Sequence, residues 1–280
     1  NELWEGANLL MLAYQYKDHT QFWSSPQRFS ATGTPVSASD AYTTLNDYRQ
    51  TQRGLKTELR ASSGNTAAML GAELKANRYL SLASAKVAYR TSPVGATTPQ
   101  GMVMGDDDTG EAGQALYGES KWAPSTAWTL TGNARFDRIK VAYDAKPVAG
   151  NGNVAIAESK TFTAPSWRLG AAWVPNANNS LFGNLSTGFR IPTVDQLYRG
   201  SQSPTSAVAN NPDLKPEHAV NLEFGGRHLF TLGGRPASVE ATVFQIDRKD
   251  FILDTNGQYG NGNAANIGRY ENIGGTRSRG

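Results

Sequence analysis

Apolar and polar residues alternate with a period of two along most of this chain, in runs longer than those of ordinary soluble strands. Trp128, Leu130, Gly132, Ala134 and Phe136 interleave with Thr129, Thr131, Asn133, Arg135 and Asp137, which gives a strand one apolar side and one wet side. The same rhythm puts Trp167, Leu169, Ala171 and Trp173 on one face with Ser166, Arg168 and Gly170 opposite, and Val220, Leu222 and Phe224 against Asn221, Glu223 and Arg227. In the stretch 180–191, Leu181, Gly183, Leu185, Thr187, Phe189 and Ile191 share one face, while Asn184, Ser186 and Arg190 share the other.

Read this way, the chain predicts ten strands: 9–23, 47–61, 67–90, 112–122, 127–144, 160–174, 180–191, 219–230, 238–253 and one starting at Arg269. A helix competes for 67–90, because Ala, Leu, Glu and Lys are good helix formers. The strand is preferred because its neighbours set the rhythm and 87–89 lacks helical spacing. Connections of roughly five residues near Ser62, Pro124, Pro175 and Thr231 alternate with loops of roughly a dozen to two dozen near Ser24, Thr91, Lys146, Tyr198 and Asn256, as in a membrane barrel with short periplasmic turns and long extracellular loops. Odd-numbered strands then run outward and even-numbered ones return. Pro192 removes a ladder donor, and Pro204, Pro212 and Pro216 are expected to keep the segment after it out of regular structure. The fold expected is all-β: an antiparallel up-and-down meander of about ten long strands, forming part of a transmembrane β-barrel.

Composition narrows the setting. Hydrophobic residues make up 39% of 280 and the mean hydropathy is negative, so no stretch approaches the roughly 20 apolar residues of a membrane helix. A barrel tolerates this, because only alternate residues meet lipid. Lys plus Arg exceed Asp plus Glu by 27 to 24, without a basic stripe, which argues against a nucleic-acid partner. With no Cys there is neither a disulfide framework nor a thiolate metal site. Asn1 opens without an initiator Met or secretion signal, so the N-terminus reads as cut.

No catalytic constellation emerges, and neither a cofactor nor a metal site is expected. His19, His218 and His228 lack metal-ligand spacing. Asp106, Asp107 and Asp108 read as a solvated loop, since Thr109 and Gly110 break a calcium-loop register. The run 257–268 follows a strand without opening a helix and lacks phosphate-loop spacing.

GFRIPT at 188–193, DQLYRG after it and NPDLKPE at 211–217 together resemble the barrel signature of TonB-dependent outer-membrane receptors of the siderophore type. The matching positions are Gly188, Phe189, Arg190, Pro192, Asn211, Pro212, Leu214, Pro216 and Glu217. The resemblance runs from about Ala115 to the end, with the first third joining by rhythm alone. It implies a 22-stranded barrel plugged by an N-terminal domain, in the outer membrane of a Gram-negative bacterium, importing a scarce nutrient with energy from the TonB complex. Its partners would be a ferric siderophore or similar chelate, that complex and outer-membrane lipid. The whole of 1–280 is expected to be barrel. The plug and last barrel strands are absent from the pattern, and such a piece alone is expected neither to insert stably nor to transport.

On this reading Arg135, Arg168, Arg190, Glu223 and Arg227 face the lumen, either as the wall against which a plug packs or as a path for an anionic ligand. Trp122, Trp128, Trp167 and Trp173 form an aromatic girdle near the short turns. Ligand candidates on extracellular loops are Trp23, Arg28, Tyr42, Tyr198, Arg199 and Tyr259, because aromatic and Arg groups hold a flat anionic chelate. Haem ranks lower, since the haem receptors of the family carry a histidine ligand between the two boxes and 193–210 contains none. A ferric siderophore leads, ahead of a vitamin, another metal chelate or a carbohydrate. A passive porin or structural outer-membrane barrel and a soluble β binding module are the rivals of different class.

Overall fold

The computed structural model describes residues 2–4, 6–26, 29–34, 42–90, 92–146, 156–199, 201–202, 207–255 and 267–280. In chain order its strands are β1 (Glu2–Trp4), β2 (Ala7–Pro26), β3 (Phe29–Ser30), β4 (Tyr42–Ser63), β5 (Thr66–Ala85), β6 (Tyr89–Arg90), β7 (Val103–Ser125), β8 (Trp128–Ala145), β9 (Ile156–Asn176), β10 (Asn179–Arg190), β11 (Ser201–Gln202), β12 (Ala207–Ala209), β13 (Glu217–Leu232), β14 (Arg235–Lys249), β15 (Phe251–Asp254), β16 (Ile267–Ile273) and β17 (Thr276–Arg279). Eleven of them make one antiparallel sheet in the order β1-β2-β4-β5-β7-β8-β9-β10-β13-β14-β17. Neighbours in the sheet follow one another along the chain, which is the expected up-and-down meander, here an open sheet.

The stretch from 67 is strand and not helix, as its alternation with the flanking strands required. The short turns are two residues long: Ser63 pairs with Thr66, and Leu232 with Arg235. Gly233 and Gly234 both take positive φ, 57° and 77°, the geometry that matches hairpin twist and that only glycine adopts cheaply.

Strand register defines two faces. The outer face carries Leu9, Leu59, Leu70, Leu116, Phe136, Leu169, Leu185, Leu222 and Val243, which the register places on one side of the sheet. Leu70, Leu116 and Leu169 are among its largely exposed apolar side chains, so this band faces a solvent that is not water. On β8 it runs from Trp128 to Phe136, nine residues or about 27 Å of strand, which a tilt of about 40° reduces to about 20 Å of height, near that of a barrel's lipid band.

Above the band the two faces exchange character. On β8 the outer positions become Arg138 and Lys140, both exposed, while the inner positions Ile139, Val141 and Tyr143 are buried. They join Phe162, Leu197, Tyr198, Leu214 and Ile252 in one apolar cluster. The core of the described structure therefore lies inside the wall at its outer end. A second sheet, β11-β12-β16-β15, lies at this end.

Several sequence expectations are corrected here. Asp106, Asp107 and Asp108 lie within β7, not in a loop. Strand geometry holds there because Lys146 pairs with Asp106, Tyr143 donates to Asp107 and Arg78 chelates Asp108. The expected ninth strand breaks at Asp250, a non-glycine residue at φ 54°. Residues from Arg269 belong to β16, and β17 is what pairs with β14. The segment after Pro192 is not wholly irregular: Asp195–Arg199 makes a wide helical turn, and β11 pairs with β12. Trp167 stands six residues along β9 from Trp173, about 20 Å away at strand rise, so it marks the upper edge of the band. Trp128 and Trp173 stack on each other beside the short turns, and Trp122 lies opposite Leu130.

Candidate functional site

The lower inner wall is built from alternate residues of β4, β5, β7, β8, β9, β10 and β13, opposite in direction to the lipid-facing ones. Buried Glu58 receives Lys56 Nζ at 2.8 Å, Arg60 Nη2 and the Tyr117 hydroxyl. Arg135 reaches Asp137 on its own strand and Glu73 two strands away, each at 2.8 Å. Lys56 and Arg135 both lie over the Tyr117 ring, at 5.5 and 5.2 Å from its centroid. One network of charges and a cation-bearing aromatic thus crosses four strands. Lys56, Glu58 and Arg60 alternate with Leu55, Thr57 and Leu59 in the sequence, so their shared face is a local property; their union with Tyr117 and Arg135 depends on register.

Arg168 donates to Asn184 Oδ1 at 2.9 Å, and Asn184 donates to Glu223 at 3.4 Å, which links β9, β10 and β13. A cavity of about 700 Å³ lies against this wall, bounded by Tyr117, Glu119, Asn133, Arg135, Arg168 and Asn184. Arg227 sits on the same inner face near the short turn, opposite Ser180. Of the five lumen candidates, Arg135, Arg168 and Glu223 come together on this middle stretch; Arg190 and Arg227 lie at its two ends.

Arg190 ends β10 and grips Glu217, the first residue of β13, through two N–H groups. Glu217 Oε1 also accepts from the Ile252 amide at 2.8 Å. Asn211 donates to Tyr270 O at 2.8 Å and accepts from the Asp213 amide and Arg269. Asn272 bonds Lys215 in both directions and donates to Asp250 O at 2.7 Å. Lys160 reaches the carbonyls of Pro212 and Leu214. Pro192, Leu197 and Leu214 are fully buried. The two sequence boxes therefore clasp 190–199 and 210–217 onto β9 and onto the paired strands β15 and β16. Phe189 and Ile191 pack against the apolar cluster and do not continue the lipid-facing row. Pairing of β10 with β9 ends at Ser186, which frees the strand end to turn inward.

The six ligand candidates are scattered. Tyr198 is 5% exposed and stacks on Tyr143 at 6.2 Å, so the expected exposed loop tyrosine is a core residue. Burial first, and then Glu158, pushes its phenol above the usual range; Tyr270 is raised by burial, Asp254 and Asp195. Trp23 is exposed on β2 with Lys86 over its ring. Tyr42 opens β4 opposite Pro26, and Arg199 closes the helical turn. Arg28 and Tyr259 lie outside the described residues. No group of three or more His, Cys, Asp and Glu side chains suited to a metal occurs among the described residues.

Known proteins agree with this architecture. The family model described as TonB dependent receptor-like, beta-barrel matches residues 2–280, including the first third. A probable hemoglobin and hemoglobin-haptoglobin-binding protein of Haemophilus influenzae is 35% identical over 101 residues, 36% of this chain and 10% of that protein. A hemoglobin and hemoglobin-haptoglobin-binding protein of Haemophilus ducreyi is 32% identical over 100 residues, 35% of this chain and 10% of its own length. These matches take in about a tenth of either relative. Among solved structures, the copper transporter OprC superposes with a TM-score of 0.71 at 16% identity, over 99% of this chain and 40% of that one. The ferric-catecholate import receptor Fiu of Escherichia coli K12 gives 0.63 at 16% identity, over 99% and 42%. A sheet with a lipid band outside and charges inside, matched from end to end by one family model, makes this chain a member of the TonB-dependent receptor β-barrel family of the Gram-negative outer membrane.

Proposed function

We propose that this chain forms barrel wall of an outer-membrane receptor that binds a ferric siderophore and imports it with energy from the TonB complex. The observation that supports the reading is the inner wall, where Arg135 is held by Glu73 and Asp137, Arg190 by Glu217, and Arg168 is joined to Glu223 through Asn184. Such a surface offers hydrogen bonds to a plug or passing chelate without leaving an isolated charge for a ligand to neutralise. Arg135, Arg168, Glu223, Arg190 and Arg227 serve as this polar wall. Trp23, Tyr42 and Arg199, with Arg28 and Tyr259, are the proposed contacts for the ligand on the outer side. Residues 1–280 act as barrel throughout, and the transported chelate undergoes no bond chemistry here.

The names of the two Haemophilus relatives favour a second reading, in which the iron source is haem held by a haemoprotein. One experiment separates the two. A strain deleted for the full gene is compared with its parent during iron-limited growth on single ferric siderophores and on hemoglobin. Loss of uptake of one ⁵⁵Fe-siderophore, restored by the gene and abolished by an uncoupler, supports the first reading. Loss of growth on hemoglobin alone supports the second, and unchanged growth on every iron source removes both.

A further inference from the structure

β2 departs from the rule that its neighbours follow. Its outer positions Leu9, Met11 and Ala13 are apolar, and so are its inner ones, Leu10, Leu12, Tyr14 and Tyr16, which stand opposite Glu58, Lys56, Gly54 and Gln52 of β4. A strand apolar on both sides has apolar surroundings on both, and lipid covers only the outer one. The inner side is open: Tyr14 lies across Gly54, where a Cβ would fall 2.3 Å from its ring, and Tyr16 is 52% exposed. Higher on the same face Phe22, Tyr48 and Tyr79 form a ladder of rings across β2, β4 and β5, with centroids 5.2 and 5.4 Å apart. Tyr79, Thr109 and Tyr143 share one row, so the ladder stands at the height of the apolar cluster. There β8 and β9 are covered on the inside, whereas Phe22 is exposed and Tyr48 and Tyr79 are half-buried.

Amides and charge complete the chemistry of this face. Gln50 donates to Asn77 Oδ1 at 3.1 Å, and Gln52 stands opposite Asn77. Among the described residues, the inner positions of 16–22, 46–52 and 77–83 carry one charge, Asp18, which accepts from the Thr20 hydroxyl at 2.9 Å. The cations Lys17, Arg49, Arg53 and Arg78 alternate with these positions and so lie on the outer face. Lys75, two inner positions below Tyr79, is held by Glu111 at 3.0 Å. An anion therefore meets a carboxylate here and no cation, while ring faces and primary amides suit a neutral ligand with apolar and amide-like surface. Net charge sorts iron chelates accordingly. Three dianionic bidentate groups leave iron(III) trianionic, whereas three monoanionic ones, such as hydroxamates, cancel its charge.

We infer, on the reading that the receptor carries a ferric siderophore, that Tyr16, Phe22, Tyr48 and Tyr79 with Gln50 and Gln52 bind a ferric tris-hydroxamate. Asp18 turns trianionic chelates away from the same face.

The test uses the full-length receptor in nanodiscs, with quenching of its intrinsic fluorescence by the ferric chelate giving Kd. The probes are ferrichrome, a neutral tris-hydroxamate, and ferric enterobactin, a trianionic tris-catecholate. Wild-type protein is expected to bind ferrichrome about tenfold more tightly than the trianion, or better. Removing two rings in Y48A/Y79A should weaken ferrichrome about 30-fold. D18K, at an exposed position, should tighten ferric enterobactin about tenfold. Equal or tighter binding of the trianion by wild type overturns the inference and leaves the siderophore reading standing. So does undiminished ferrichrome affinity in a folded Y48A/Y79A, which would make the ladder a packing surface for another part of the receptor. Failure to bind either chelate removes the inference and the siderophore reading together. Should Y48A/Y79A lose its heat-modifiable migration and so prove unfolded, the comparison of the two chelates on wild type and D18K decides alone.

Discussion

The lower and upper halves of the same strands obey opposite rules. In β8, residues 128–137 put apolar side chains outward and polar ones inward; residues 138–144 put charges outward and Ile139, Val141 and Tyr143 inward. β8 pairs with β9 without a break through both halves, and with β7 apart from one irregularity at Trp122–Ser125, so the difference is one of surroundings. Below, lipid covers the outside and polar groups or water cover the inside. Above, water covers the outside, and residues 191–198 and Leu214, with β15, cover the inside. The period of two reports only that two sides differ, and which side is apolar depends on height.

The comparison can be broken by removing what covers the upper inside. Leu214→Ala, at 0% exposure, is expected to cost about 2–5 kcal/mol, read by denaturant unfolding of the full barrel in lipid vesicles. Faster protease cutting near the 190–217 segment should accompany it. Next in size is an outward charge in the lower half. Leu169→Arg, paired with mid-band Gly132, should cost about 2–4 kcal/mol, and Thr163→Arg, on the same strand and face above the band, about 0–1 kcal/mol. Similar costs at the two positions would remove the boundary between the halves.

Glu217→Gln sharpens the role of the clasp. It weakens the acceptor for both Arg190 and the Ile252 amide, and about 1–3 kcal/mol is expected. Hydrogen exchange at Ile252 should quicken before exchange in the lower wall does. Titration gives a gentler probe of the same region. The phenols of Tyr198 and Tyr270 are raised above their ordinary 10.0, so the packing they support is intact below pH 10 and is lost as pH rises through their shifted values. Tyr198→Phe should lessen that alkaline loosening, as followed by tyrosinate absorbance and loop proteolysis. Arg78→Gln, which removes one of the three partners of the Asp106–Asp108 run at an exposed site, should cost only about 0–1 kcal/mol.

Much of this was legible in the sequence because side-chain period and turn length are local properties. Trp128 to Asp137 declares its two faces without help, and the Gly233-Gly234 pair declares its hairpin. What escaped depends on neighbours in space. Three consecutive aspartates read as loop until Arg78, Lys146 and Tyr143 arrive from other segments to hold them. Asp250 breaks its strand through backbone conformation, which an aspartate among charged neighbours does not advertise. Tyr198 looked like an exposed loop aromatic because nothing local says that Tyr143 waits beneath it. Ile139, Val141 and Tyr143 did carry a signal: the inner positions of β8 turn apolar immediately after Asp137.

The most direct measurement exploits the absence of Cys from residues 1–280. Single cysteines placed at each residue from 128 to 144 in the full-length receptor carry spin labels, and accessibility to oxygen and to a water-soluble nickel complex is read in membranes. Even positions 128–136 should favour oxygen and even positions 138–144 nickel, while odd positions 139, 141 and 143 should be shielded from both. A single alternation unchanged from 128 to 144, with 139–143 as open to nickel as 129–135, would contradict the reversal of faces.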